Sequence, residues 1–226
     1  MALAPSPSDA QLSPAMNALV RALCGRANGA LALVSGRSLA DLDGFFGEPA
    51  LAAAGQHGLE RRSADGRVTR AETQPERLGD ARSRLAALAA QHPGLLVEDK
   101  GMSLALHYRA VPRLAGYVHR TMHALVRDLG GTYTLQAGKR VIELRPSSLD
   151  KGDAIAAFMQ EEPFRGRMPL FIGDDATDER GFARVNALGG HSVKVGVGRT
   201  QARWWLRDVD AVRAWLAGSN ATSRAP

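Results

Sequence analysis

The sequence predicts an α/β protein, a parallel-sheet core interrupted by an inserted α+β domain, and three observations carry that prediction. Two short, continuously apolar runs, Ala30-Leu31-Ala32-Leu33-Val34 and Met168-Pro169-Leu170-Phe171-Ile172, have the composition of strands buried on both faces. Helical stretches alternate with such runs in the first and last thirds of the chain, the order expected of strand–helix–strand units. The middle third instead shows strand-like segments paired around glycine turns, which is the pattern of hairpins.

In chain order, residues 1–11 are rich in Pro and Ser and read as a loop, after which Pro14 opens a helix through residues 16–23. The strand at residues 30–34 runs into Ser35-Gly36-Arg37-Ser38, a helix at 39–46 and a second apolar segment at 51–55, closed by Gln56-His57-Gly58. Residues 59–62 and 67–69 then flank Ser63-Ala64-Asp65-Gly66, a hairpin turn. Two further hairpins follow, residues 95–100 with 103–108 about Gly101 and residues 133–136 with 141–144 about Gly138. Helices at 75–91 and 112–129 lie between them, giving an antiparallel sheet with helices on one side. After Pro146 the parallel pattern resumes: helix 151–160, strand 168–172, loop Gly173-Asp174-Asp175, helix 178–187, strand 192–195 and a last helix at 209–216. The implied division is a core at 1–58 and 146–218, an inserted cap at 59–145 and a disordered tail at 219–226.

Composition narrows the function classes. With 226 residues, 45% hydrophobic and 23% charged, the chain can bury a substantial core and is neither fibrous nor a charged tail. Its one cysteine, Cys24, excludes an internal disulfide and a cysteine zinc cluster, and is compatible with a reducing cytoplasm. The +6 charge comes from Arg spread along the chain without interleaved aromatics, which disfavours nucleic acid and favours a small anion. No apolar run approaches the ~20 residues that span a bilayer, and the start has neither a basic nor an apolar leader region. The expectation is a cytoplasmic monomer acting on a small molecule, with no membrane or nucleic-acid partner.

Three polar clusters fall at the carboxyl ends of the expected parallel strands or at helix starts, where doubly wound sheets place ligands. Ser35-Gly36-Arg37 follows the first strand, so its hydroxyl and the next amides can bind a phosphate oxygen, although a serine there can equally be an N-cap. Lys151-Gly152 opens a helix, where the dipole disfavours a cation unless an anion or carboxylate is near. Gly173-Asp174-Asp175-Ala176-Thr177-Asp178-Glu179 places four acids in six positions after an apolar strand. Hard oxygen donors so crowded suit Mg²⁺, and capping of the next helix can coexist with that role.

Serine, lysine and paired aspartates in this chain order resemble the second, third and fourth motifs of the haloacid-dehalogenase-like phosphatases. The finer resemblance is to trehalose-6-phosphate phosphatases. It rests on Ser35-Gly36-Arg37-Ser38, Gly55-Gln56-His57-Gly58-Leu59-Glu60, Glu98-Asp99-Lys100-Gly101-Met102-Ser103, Gly138-Lys139-Arg140-Val141-Ile142-Glu143, Lys151-Gly152 and the Asp174-Asp175 loop. The resemblance implies a Rossmann-like core of the haloacid-dehalogenase type with an inserted cap, and a Mg²⁺-dependent phosphomonoesterase acting on trehalose 6-phosphate through an aspartyl-phosphate. Asp174 would hold the metal directly, supported by Asp175 and Asp178, while Ser35 and Lys151 bind the phosphoryl group. From the cap, Glu98, Lys100, Lys139 and Glu143 match positions that bind sugar hydroxyls, with Arg37 and His57 at the junction.

The resemblance also implies an Asp-X-Asp-Gly-Thr motif ahead of the first helix, supplying the nucleophile and acid/base, and residues 1–11 hold only Asp9. Without its strand, Val34 and Ile172 are expected to lack a sheet neighbour. Asp41-Leu42-Asp43-Gly44 imitates the motif but belongs to a helical segment after Ser35, so it is read as a decoy. The alternatives are a non-catalytic sugar-phosphate-binding module and a related phosphatase for another sugar phosphate.

Overall fold

The computed structural model describes residues 12–72 and 76–218. The loop expected at residues 1–11, the Pro75 helix start and the tail at 219–226 lie outside the described residues. Ser13 Oγ accepts from the Met16 amide and Pro14 takes the first helical position, so α1 (Pro14–Arg26) begins where the sequence places it. β1 (Ala32–Val34) leads through α2 (Leu39–Phe46), opened by a Ser38–Asp41 capping box, to β2 (Ala52–Gly55), which pairs parallel with β1. The chain then turns back. β3 (Glu60–Arg62) pairs antiparallel with β2, Ala53 opposite Arg62, and β4 (Val68–Arg70) completes a sheet ordered β1-β2-β3-β4.

That ladder moves the expected domain boundary. The chain divides into two units, one holding residues up to 69 and from 151 onward and the other residues 70–150, rather than switching at 59 and 145. Backbone hydrogen bonds to β2 tie β3 to the first unit, a pairing that the local hairpin pattern of residues 59–69 does not reveal.

The second unit starts at α3 (Arg77–Gln91) and β5 (Leu96–Asp99), which forms a hairpin with β6 (Leu104–His107). A 3₁₀ turn at Pro112–Leu114 precedes α4 (Ala115–Leu129), and β7 (Tyr133–Gly138) and β8 (Val141–Pro146) close the unit. Its sheet is antiparallel throughout, in the order β5-β6-β8-β7. The register lines up Val97, Leu106, Ile142 and Ala137 in one cross-strand row and Glu98, Ala105, Glu143 and Gln136 in the next. Because side chains alternate between faces, the first row and its equivalents turn toward the helices. Leu104, Leu106, Ile142 and Leu144 pack there on Leu85 of α3 and Met122 of α4. The second row is left on the opposite face.

The first unit resumes with α5 (Lys151–Phe158), β9 (Leu170–Gly173), α6 (Glu179–Ala187), β10 (His191–Val195), β11 (Trp204–Leu206) and α7 (Val209–Leu216). β9, β10 and β11 are parallel neighbours, and β11 is the strand the sequence reading missed. Among the described residues β1 has one sheet neighbour, β2, and β9 has one, β10. Among the described residues the parallel strands thus fall into two sheets, β1 with β2 and β9 to β11. Ala154 and Phe158 of α5 pack on Ala52 and Ala54 of β2, while Phe182 of α6 is fully buried with its ring 5.5 Å from that of Phe171. No helix among the described residues is long and apolar enough to cross a membrane.

Truncating a fully buried aromatic side chain leaves a cavity that neighbours fill only in part. Phe182→Ala should lower unfolding free energy by about 3–5 kcal/mol, read by urea denaturation, and a loss below ~1 kcal/mol would place Phe182 outside the core.

Candidate functional site

At the end of β9 the backbone would expose its last amides, and one carboxylate gathers them. Asp178 Oδ2 accepts from the amides of Asp174 and Asp175, both at 2.9 Å, and Oδ1 accepts from Lys151 Nζ at 2.6 Å. The lysine and aspartate side chains are only 8% and 5% exposed, so this ion pair is buried. A Cβ on Gly173 would stand 2.4 Å from Asp178 Cγ, and glycine is what lets the carboxylate close over the strand end. On the far side, Lys194 Nζ donates to the Asp174 carbonyl oxygen at 2.6 Å. Asp175 caps the turn into α6, its Oδ1 accepting from the Ala176 amide.

Each acid of the cluster thus has a distinct environment. Asp178 has both oxygens engaged, Asp175 serves as an N-cap, and Asp174 is exposed, its carboxylate without a hydrogen-bond partner among the described residues. Among those residues no three His, Cys, Asp or Glu side chains converge as a metal-holding group. The expected set of Asp174, Asp175 and Asp178 is therefore one available carboxylate on a loop that the other two hold.

The second cluster lies at the end of β1. The Ser35 amide donates to Ala54, its carbonyl accepts from the His57 amide, and its Oγ accepts from the Arg37 amide at 3.1 Å. His57 adopts a left-handed conformation with φ 61°, and its ring lies against Gly36, where a Cβ would come within 2.7 Å of it. Arg37 places its guanidinium 4.9 Å from the Phe45 ring centroid. Buried Glu60 accepts from the Leu39 amide at 2.7 Å, fixing the start of α2. α5, with Lys151 as its first residue, packs against both β1 and the 56–58 turn.

In the second unit, the polar row of the sheet carries the expected sugar-binding residues. Glu143 is held by Ser103 Oγ at 2.7 Å and Lys100 Nζ at 3.1 Å, and Glu98 by His107 Nε2 at 2.8 Å. Ala105 sits between the two glutamates in the ladder, so they stand two strand spacings apart, about 10 Å. The hydrogen bond with His107, aided by the charge of Lys100, holds the Glu98 carboxyl below the usual carboxylate range despite burial. Lys139 stands apart from this group, exposed in the β7–β8 turn.

The two Asp-X-Asp patterns of the sequence are both structural. Asp41 is bonded to Ser38 in the capping box and Asp43 pairs with the Arg62 guanidinium through two bonds, while Asp208 caps α7 and Asp210 pairs with Arg213. Sequence reasoning passed over Lys194, Ser103, Glu60 and the His107–Glu98 contact. Lys194 and Ser103 carried a usable signal, since a charged residue within the apolar run Val193-Lys194-Val195 and a serine on the glutamate-bearing face each break the pattern around them.

Removing Lys151 leaves the buried Asp178 carboxylate uncompensated. Lys151→Ala should cost about 3–5 kcal/mol of stability in urea denaturation, and an unchanged midpoint would mean the pair is not formed. The Glu98 contribution to stability should be complete above its unfolded pKa, about 4.3, and fade as pH falls through the lower folded value. His107→Ala should raise the folded pKa of Glu98 and flatten that acid-side loss, as NMR titration and denaturation between about pH 3 and 6 would show.

Comparison with known proteins gives the chain's family and fold relatives. The trehalose-phosphatase family model matches residues 1–209. The chain is 45% identical over 194 residues to the trehalose-6-phosphate phosphatase of Escherichia coli, covering 86% of this chain and 73% of that one. It is 33% identical over 204 residues to the trehalose-phosphate phosphatase of Mycobacterium tuberculosis, covering 86% of this chain and 50% of the relative. The C-terminal domain of Candida albicans trehalose-6-phosphate phosphatase superposes with a TM-score of 0.83 at 22% identity, over 96% of this chain and 87% of that one. A haloacid dehalogenase-like hydrolase from Bacillus subtilis superposes with a TM-score of 0.61 at 14% identity over 92% and 93%, which establishes the α/β core as of that type. On the length of the family match and the identity to its bacterial relatives, the chain belongs to the trehalose-phosphatase family.

Proposed function

We propose that this chain is a trehalose-6-phosphate phosphatase, a hydrolase that releases phosphate and trehalose from the phosphomonoester. The observation that carries the reading is the buried Lys151–Asp178 pair locked to the Asp174-Asp175 amides at the end of β9, in a member of this family. Ser35 Oγ, with the Gly36 and Arg37 segment that follows it, binds phosphoryl oxygens, and the Lys151 ammonium offers them positive charge in a water-poor setting. The donor set fits a Mg²⁺ ion that keeps most of its waters, because the Asp174 carboxylate is exposed and unengaged. Asp174 would hold that ion, with Asp175 and Asp178 holding the loop, and the ion would supply Lewis-acid charge to a phosphoryl oxygen.

On the second unit, Glu98 and Glu143 accept hydrogen bonds from sugar hydroxyls, and Lys100 and Lys139 donate to them. Ser103 and His107 fix the two carboxylates before substrate arrives, which lowers the ordering cost of binding. Arg37 and His57 shape the end of β1 beside Ser35.

A second reading, a sugar-phosphate-binding module without turnover, is favoured by one observation: both Asp-X-Asp patterns are engaged structurally. Calorimetry with trehalose 6-phosphate, run beside phosphate release in Mg²⁺, separates the two. Binding with release supports the phosphatase, binding alone supports the module, and no binding sinks both. Glu143→Gln should raise KM for trehalose 6-phosphate by about ten-fold or more while changing kcat less. Equal turnover of glucose 6-phosphate by the unaltered chain would instead point to a different sugar phosphate.

A further inference from the structure

The chain leaves β2 through a strained turn. After Gly55 two consecutive residues with side chains, Gln56 and His57, stand in the left-handed region at φ 47° and 61°, and Gly58 follows at φ 107°. A Cβ disfavours that region, so such a turn persists only where its surroundings over-determine it. Here the surroundings are the loop after β1. The Gln56 amide donates to the Arg37 carbonyl oxygen at 2.8 Å and the His57 amide to that of Ser35 at 2.9 Å. The carbonyls on either side of Gly36 are thus both engaged by the turn. A carbonyl oxygen repels a phosphoryl oxygen, and drawing these two into hydrogen bonds suits the loop to an anion.

One buried carboxylate joins the turn to the loop. Glu60 of β3 lies opposite Gly55 in the ladder. A Cβ on Gly55 would stand 2.8 Å from Glu60 Oε1, 2.9 Å from the Arg37 carbonyl oxygen and 2.9 Å from the Leu39 amide nitrogen, so these three groups converge over the end of β2. Glu60 Oε1 accepts from the amide of Leu39, the first residue of α2, at 2.7 Å, and Gln56 Nε2 approaches the same oxygen at 3.5 Å. Glu60 and Gln56 are only 6% and 4% exposed. Burying a carboxylate is costly unless its oxygens are satisfied, and the positive end of α2 favours the charge there.

We propose that Glu60 is a positioning residue for phosphoryl binding. Through Leu39 and Gln56 it clamps Ser35-Gly36-Arg37 between the start of α2 and the 56–58 turn, so that the Ser35 hydroxyl is in place before the anion arrives. This role rests on Ser35 binding phosphoryl oxygens. The clamp depends on reach, because the acceptor oxygen must arrive at the Leu39 amide. Aspartate would keep the charge but withdraw it by one methylene, about 1.5 Å. Glutamine would keep the length and an acceptor oxygen while losing the charge.

The test titrates the ¹⁵N-labelled full chain with inorganic phosphate and follows the amide signals of Ser35, Gly36 and Arg37. The unaltered chain, Glu60→Asp and Glu60→Gln are compared, each at a temperature where circular dichroism shows it folded. In the unaltered chain all three signals should move saturably with phosphate. Glu60→Asp should raise the phosphate dissociation constant by about ten-fold or more, and Glu60→Gln should stay within about three-fold of the unaltered value. Unchanged affinity in Glu60→Asp overturns the proposal and leaves Ser35 as the phosphoryl-binding residue. Equal weakening in the two variants also overturns it, since charge rather than reach would then govern the loop. Signals that ignore phosphate in the unaltered chain remove the binding role of Ser35 itself, and the positioning role of Glu60 with it.

Discussion

The candidate site of the first unit depends on a single buried charge pair. Taking an ammonium and a carboxylate out of water costs several kcal/mol for each ion, a cost that their attraction offsets only when the remaining lone pairs are also satisfied. Asp178 meets that condition by accepting from two loop amides as well as from Lys151. The same carboxylate thereby fixes the direction of α5 at its first residue, the conformation of the loop after β9 and the entry into α6. Gly173 and Lys194 follow from it, the first making room for the carboxylate and the second holding the loop from its other side.

Much of this architecture was legible in the residues because burial leaves a periodic trace. Continuous apolar runs marked β1, β2 and β9, and hairpin spacing marked the strands of the second unit, since both depend on neighbours close in sequence. β3 went to the wrong unit because its partner is set by a ladder with β2, and Glu60-Arg61-Arg62 carries no record of which sheet it joins. β11 escaped because Trp204-Trp205-Leu206 lies at the end of its sheet with both tryptophans exposed, so burial leaves no alternation and no extended apolar run there. The site was legible as a set of residues and not as a set of roles. Crowded acids identified the loop, but only coordinates separate the carboxylate that pairs with a lysine 27 positions earlier from the one left facing solvent.

Asp41-Leu42-Asp43 shows the same distinction from the other side. Spacing alone would admit it as catalytic, whereas its place after Ser35 and inside a helical stretch argued against that. The structure supplies the physical reason, because one aspartate completes a capping box and the other neutralises Arg62 on β3. A motif of two acids is informative only together with the strand end that presents it.

The cross-strand rows of the second unit make sheet pairing a matter of parity. With Glu98, Ala105, Glu143 and Gln136 on one face and Val97, Leu106, Ile142 and Ala137 on the other, a one-residue shift of β8 would carry glutamate into the leucine-rich core. A shift of two would keep the core intact yet set Glu143 out of line with Glu98. The polar face therefore cannot drift gradually. Changes in the length of the turn at Lys139 are filtered first by folding, which rejects odd steps, and then by recognition, which rejects even ones.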